Sequence, residues 1–171
     1  MSKFDFNIFL IGFMGSGKST IARQLKKELG MELVEMDQRI VDEQGMSINE
    51  IFAQKGEDGF RDIESQLVVD LGNQEASIIS CGGGVVIRQQ NVENMKKSGK
   101  IVFLTATPET ILERVKNGTD RPLLNGNMNV PYIKDMMDKR RDFYEGAADI
   151  KISTDDKSVK EISDEIIAAL S

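Results

Sequence analysis

Gly12-Phe13-Met14-Gly15-Ser16-Gly17-Lys18-Ser19-Thr20 decides the reading of this chain. It fits the pattern G-x-x-x-x-G-K-[ST] and stands in the context that the pattern requires, between a strand and a helix. The apolar run Phe6-Asn7-Ile8-Phe9-Leu10-Ile11 before it predicts a buried strand. After it, Ile21, Leu25 and Leu29 share one face of a helix. The glycines permit a tight turn that points several backbone N–H groups at one phosphate, and the helix N-terminus adds the positive end of its dipole. Lys18 has the reach for outer phosphates, and the Ser19 hydroxyl suits a place on Mg²⁺. Gly12, Gly15, Ser16, Gly17, Lys18, Ser19 and Thr20 therefore read as a phosphate cradle.

Outward from this loop, four more short apolar segments follow: Glu32–Met36, Ser77–Cys81, Lys100–Thr105 and Asp149–Ser153. They alternate with longer helical patterns and lie too far apart for hairpins, which predicts β-α-β crossovers and a parallel sheet. Thr107-Pro108-Glu109 predicts a helix start, and Val159, Ile162, Ile166 and Leu170 predict a final amphipathic helix. Residues 37–62 read as an inserted helical region. Residues 117–127, with turn formers at both ends, read as a mobile loop.

The bulk numbers narrow the function. A length of 171 residues favours one domain, and 40% apolar residues are enough for a core. A formal charge of −6 argues against general nucleic-acid binding but leaves room for a local anion site made of a few arginines. No stretch is long and apolar enough to span a membrane, and no leader pattern precedes the first strand. One cysteine, Cys81, excludes an internal disulfide and fits a reducing cytoplasm. Without a histidine, any general base is a carboxylate or an unusual group, and Cys81 reads as a buried small residue.

Several residues can carry chemistry. Glu35 and Asp37 close the second strand, where ligands of an open parallel sheet bind. One can hold Mg²⁺ through water while the other orients or deprotonates a hydroxyl; alternatively both are surface acids, with Asp37 capping the next helix. Gly82, Gly83 and Gly84 end the third strand and allow a ligand close to the backbone, or form only a turn. Arg61 has Glu57 four residues before it and Glu64 three after, a surface ion pair or a guanidinium held for an anion. Arg140 shares a face with Ile133, Met137 and Tyr144, so it either snorkels to water or awaits a carboxylate. Arg121, in the predicted mobile loop, is either solvated or closes over a transferring phosphoryl group.

Taken in order, these pieces resemble the shikimate kinase family over nearly the whole chain. Gly12–Thr20 is similar to its phosphate loop, Glu35-Met36-Asp37 to its Asp-x-Asp motif with the first acid changed, and Phe60-Arg61 with Glu64 to its substrate arginine and supporting glutamate. Gly82–Gly84 resembles its triple glycine, Arg121-Pro122-Leu123-Leu124 its lid, and Arg140 with Tyr144 its second substrate arginine and neighbour. The resemblance implies a three-layer α/β/α P-loop kinase fold with a five-stranded parallel sheet in the order 2-3-1-4-5, a helical substrate region and a lid. It implies transfer of the ATP γ-phosphate to the 3-hydroxyl of shikimate, giving shikimate 3-phosphate and ADP on the route to chorismate and the aromatic amino acids.

In that scheme Lys18, Asp37 and Arg121 are catalytic. Arg61, Arg140 and the Gly82–Gly84 loop hold shikimate, and Arg114 stacks on adenine. Ser19 and Glu35 serve Mg²⁺. The implied protein is cytoplasmic and monomeric, with no nucleic-acid or membrane partner. Two departures stand out: Glu35 is one methylene longer than the family's Asp, and Ser153–Ser158 lacks the basic residue and Pro usual in the adenine loop. A gluconate or nucleoside monophosphate kinase, a catalytically silent homologue and a nucleotide switch are the alternatives.

Overall fold

The structure, a computed structural model, describes residues 4–116 and 129–171. Five parallel strands form one sheet: β1 (Asn7–Ile11), β2 (Glu32–Glu35), β3 (Ser77–Ser80), β4 (Gly99–Thr105) and β5 (Ile150–Ser153), in the order β2-β3-β1-β4-β5. Each strand lies within one residue of its expected bounds. The clearest shift is at Met36, which starts a helix rather than ending β2.

Helices α1 (Lys18–Leu29), α2 (Met36–Gln44), α3 (Ile48–Gly72), α4 (Gln89–Ser98), α5 (Pro108–Val115), α6 (Val130–Ala147) and α7 (Val159–Leu170) cover the sheet. Alternation along the strands sorts the core into two layers, because successive side chains point to opposite faces. Phe9, Ile11, Ile79, Ile101 and Phe103 pack with α2, α3, α4 and α6. Ile8, Leu10, Ile78, Val102 and Leu104 pack with α1 and α7. Both faces of the sheet are thus buried, as a parallel sheet requires. No helix among the described residues is long and apolar enough to cross a membrane.

The helical stretch expected at 37–62 consists of α2 and the first half of α3. Gly45 closes α2 in a left-handed conformation, and Ser47 opens α3 with a capping box to Glu50. Inside α3, Gly56 adopts φ 72°, ψ 178°, which kinks the helix between its two halves. The second half of α3 extends beyond residue 62 to Gly72 and carries Phe60, Leu67, Val68 and Leu71 into the core. From β1 the chain crosses to β2 on one side, then from β3 over β1 to β4 on the other. Such a reversal opens a crevice at the carboxyl ends of the strands.

Candidate active site

At that edge a cleft of about 630 Å³ is lined by Gly15, Gly17, Lys18, Ser19, Thr20, Glu35, Asp37, Gly83 and Arg114, among others. The loop after β1 makes its floor. Gly17 takes φ 99° at the start of α1, a left-handed turn that hands the chain to the helix with its N–H groups facing the cleft. Lys18 Nζ donates to the carbonyls of Gly12 at 2.8 Å and Phe13 at 3.0 Å, so the ammonium is held over the loop. Gly12 itself is buried: a side chain there would meet the Leu104 carbonyl at 2.5 Å. Ser16 is also buried and does not line this cleft.

Ser19 Oγ donates to Glu35 Oε2 at 2.9 Å, which joins the start of α1 to the end of β2. The extra methylene of Glu35 is thus used to span the gap. Two oxygen donors side by side fit a hard cation that takes its other ligands from phosphate and water. Among the described residues, no group of three or more acids or cysteines is arranged so that it could hold a metal ion. Asp37 does not cap α2. It stands exposed in the first turn, where Glu35 is the N-cap residue and makes no side-chain cap bond.

Beyond Asp37 the site changes character. Arg61 and Glu64 are buried, with Arg61 Nη1 3.0 Å from Glu64 Oε1, while Glu57 lies 3.6 Å away on the exposed side. Arg61 is therefore no surface pair. Its Nε and Glu64 Oε2 have no hydrogen-bond partner, a state that costs free energy unless a ligand or water supplies one. Burial pushes the Glu64 carboxyl up to about 7 from an ordinary 4.5, against the pull of the Arg61 charge.

Arg140 is 9% exposed on α6, beside buried Ile133 and Tyr144, so it does not reach freely to water. The glycine loop is threaded between these side chains. A methyl group on Gly82 would come within 2.8 Å of Glu64 Oε2 and 2.9 Å of Asp37 Oδ1. On Gly84 it would lie 2.6 Å from Arg61 Cζ, and on Gly83 3.4 Å from Arg140 Nη1. The three glycines are present because charged groups from α2, α3 and α6 close on their backbone. The Tyr144 hydroxyl donates to the Gly83 carbonyl, a contact that sequence reading missed although Tyr144 stood four residues after Arg140. Burial also pushes the Tyr144 hydroxyl and the Cys81 thiol up, so neither ionises readily.

Arg114 Nη1 donates to the Gly15 carbonyl at 3.0 Å and to Thr154 Oγ1 at 3.4 Å. This places it at the outer end of the cleft, between the phosphate loop and the residues after β5. Thr154 was not foreseen as its partner. Met14, Gln38 and Ile48 also line the cleft, and no sequence pattern singles them out. Arg121 and the segment 117–127 lie outside the described residues.

The comparisons follow the same lines. A family model described as shikimate kinase matches residues 14–171. A shikimate kinase of Sulfurihydrogenibium sp. is 40% identical over 164 residues, covering 96% of this chain and 97% of its own. A solved shikimate kinase from Acinetobacter baumannii, in complex with shikimate, superposes with a TM-score of 0.92 at 30% identity, over 98% of this chain and 94% of that one. Another, from Aquifex aeolicus, gives 0.82 at 37% identity over 96% and 95%. With both its motifs and its sheet order in agreement, this chain belongs to the shikimate kinase family.

Proposed function

We propose that the protein transfers the γ-phosphate of ATP to the 3-hydroxyl of shikimate, releasing shikimate 3-phosphate and ADP. The observation that carries this reading is the pair of buried guanidiniums, Arg61 and Arg140, flanking the glycine loop at one end of the phosphate-loop cleft. Two buried arginines, one of which, Arg61, has an unpartnered Nε, suit a carboxylate, which each can grip through parallel bonds.

In this reading the Gly12–Thr20 loop and Lys18 hold the outer phosphates, with Arg114 at the adenine end. Arg61, Arg140 and the Gly82–Gly84 backbone fix the acceptor by its carboxylate. Asp37 then lies between the two substrates. It orients the 3-hydroxyl and takes its proton as the oxygen attacks the γ-phosphorus and the bond to the ADP oxygen breaks. Lys18 stabilises charge on the transferring group, and Arg121 is assigned the same task on its sequence position. Ser19 and Glu35 would hold Mg²⁺, and when bound the cation neutralises charge on the phosphate oxygens. Catalysis rests on positioning and electrostatics rather than covalent chemistry.

The same proposal takes the protein as a cytoplasmic monomer, with α2 and early α3 forming the acceptor side and residues 117–127 the lid. The test is product identity. ³¹P and ¹H spectra of a reaction with Mg-ATP and shikimate are expected to show a phosphate ester at the 3-position. An ester elsewhere, or none, would contradict the reading.

A further inference from the structure

Glu64 is fully buried, yet only half of its carboxyl is used. Oε1 accepts from Arg61 Nη1 at 3.0 Å, while Oε2 has no hydrogen-bond partner. Oε2 also stands close to the reacting groups. A methyl on Gly82 would lie 2.8 Å from it and 2.9 Å from Asp37 Oδ1, so one bridging hydroxyl can span the two oxygens. Burial and the Asp37 charge push Glu64 the same way, toward its protonated form.

The charged groups around Glu64 come from several elements. Asp37 acts on it from α2, Arg61 from its own helix and Arg140 from α6. Tyr144 of α6 and Cys81 after β3 are also near, and burial keeps both neutral. Lys18 acts on Cys81 from the side of the phosphate loop. Glu57 meets Arg61 from the exposed side, and Arg88 is turned outward to Asp62. Inside the acceptor end, two guanidiniums therefore face two carboxyl groups, Glu64 and Asp37.

In the function proposed above, the acceptor's carboxylate binds at Arg61 and Arg140. It brings a third negative charge to two guanidiniums, where burial makes an excess anion costly. Glu64 is the member of this set that is fully buried and half bonded. We propose that Glu64 takes up a proton from solvent as the acceptor binds. Its neutral carboxyl then accepts from Arg61 through Oε1 and donates through Oε2 on the side of Asp37. Glu64 is thus a positioning residue: it keeps Arg61 in place while releasing the guanidinium's charge to the acceptor. A neutral Glu64 also removes a like charge from beside Asp37, which favours Asp37 as the anion that accepts the hydroxyl proton. This inference rests on the assignment of the acceptor carboxylate to the two arginines.

The sign of the pH dependence follows. In the free protein Glu64 holds its proton below about pH 7 and loses it above. Acceptor binding therefore takes up little at pH near 6, where the proton is already present, and about half a proton or more at pH near 8. Affinity for the acceptor falls about five- to tenfold over that range.

The test is calorimetric titration of shikimate into the full chain without nucleotide, in buffers of differing ionisation enthalpy, at both pH values. The dependence of the heat on the buffer counts the protons. Glu64→Gln, which keeps an acceptor for Arg61 and a donor in place of Oε2, is expected to bind shikimate with no proton uptake and the same affinity at both pH values. Binding by the wild type with no uptake at the higher pH, or uptake that persists in Glu64→Gln, would overturn the proposal alone. Absence of saturable shikimate binding would overturn the acceptor assignment and the proposal with it.

Discussion

The two ends of the reaction cleft are built from different materials. The proposed nucleotide end is backbone: a loop of small residues, one helix start and a lysine pinned to the loop's own carbonyls. The proposed acceptor end is side chain: Arg61, Glu64, Arg140 and Tyr144 are buried and packed around three glycines. A backbone cradle recognises phosphate whatever it is attached to, because every residue has an N–H to offer. A cluster of buried charges recognises one arrangement of acceptor groups, because it is costly when left unmatched. In the proposed assignment, generality resides at one end and selectivity at the other, with Asp37 between them.

The largest effect is expected from the nucleotide end. If Lys18 acts on the transferring group as proposed, Lys18→Met removes that charge, and kcat is expected to fall about 10²- to 10³-fold. Steady-state kinetics check this, and an unchanged kcat would remove Lys18 from the mechanism. Next, Arg140→Ala is expected to weaken shikimate by about 30-fold or more, with ATP affinity kept, since truncating one buried partner of a charge pair costs several kcal/mol. Equal losses for both substrates would break the division between the ends.

A smaller effect is expected from Gly84→Ala, whose methyl would lie 2.6 Å from Arg61 Cζ and push that guanidinium aside. A fall of about tenfold in kcat/KM for shikimate is expected. Adding Arg61→Ala to Gly84→Ala should cost little more, because both changes act on one contact. Full additivity in that double-mutant cycle would show that the glycine serves another purpose.

The last effect concerns stability rather than turnover. The folded protein holds the Glu64 proton more tightly than the unfolded chain does, because burial raises its pKa from 4.5 to about 7. The stability that this protonation contributes is complete below pH 4.5 and is lost as the pH rises through about 7. Glu64→Gln carries no such loss. Its stability relative to the wild type is expected to rise by about 1–3 kcal/mol across that window. Urea unfolding at a series of pH values measures this, and a difference independent of pH would show that Glu64 titrates normally.

The nucleotide end was legible in the sequence because its determinants are contiguous. Gly12 to Thr20 specify a turn, a helix start and a lysine within nine residues. The strand order was legible only through resemblance, since alternating strands and helices predict a parallel sheet but not which strand lies beside which. At the acceptor end the sequence offered Arg140 among apolar neighbours, and its burial bears out that oddity. It could not show that Arg61 and Glu64 are buried together, because a spacing of three residues reads equally as a surface pair.

The helix boundary at Met36 was missed because an apolar residue after Val34 continues a strand pattern as readily as it begins a helix. The break between α2 and α3 had a signal that went unread, Gly45 followed by Ser47 and Glu50. Long-range contacts such as Tyr144 to Gly83 and Arg114 to Thr154 leave no local trace.

The most direct test of the account is coupled ADP release with Mg-ATP and each of three acceptors: shikimate, gluconate and AMP. The account predicts release with shikimate well above the acceptor-free rate, and little or none with the other two. Release that prefers gluconate or AMP, or that ignores the acceptor, would contradict it.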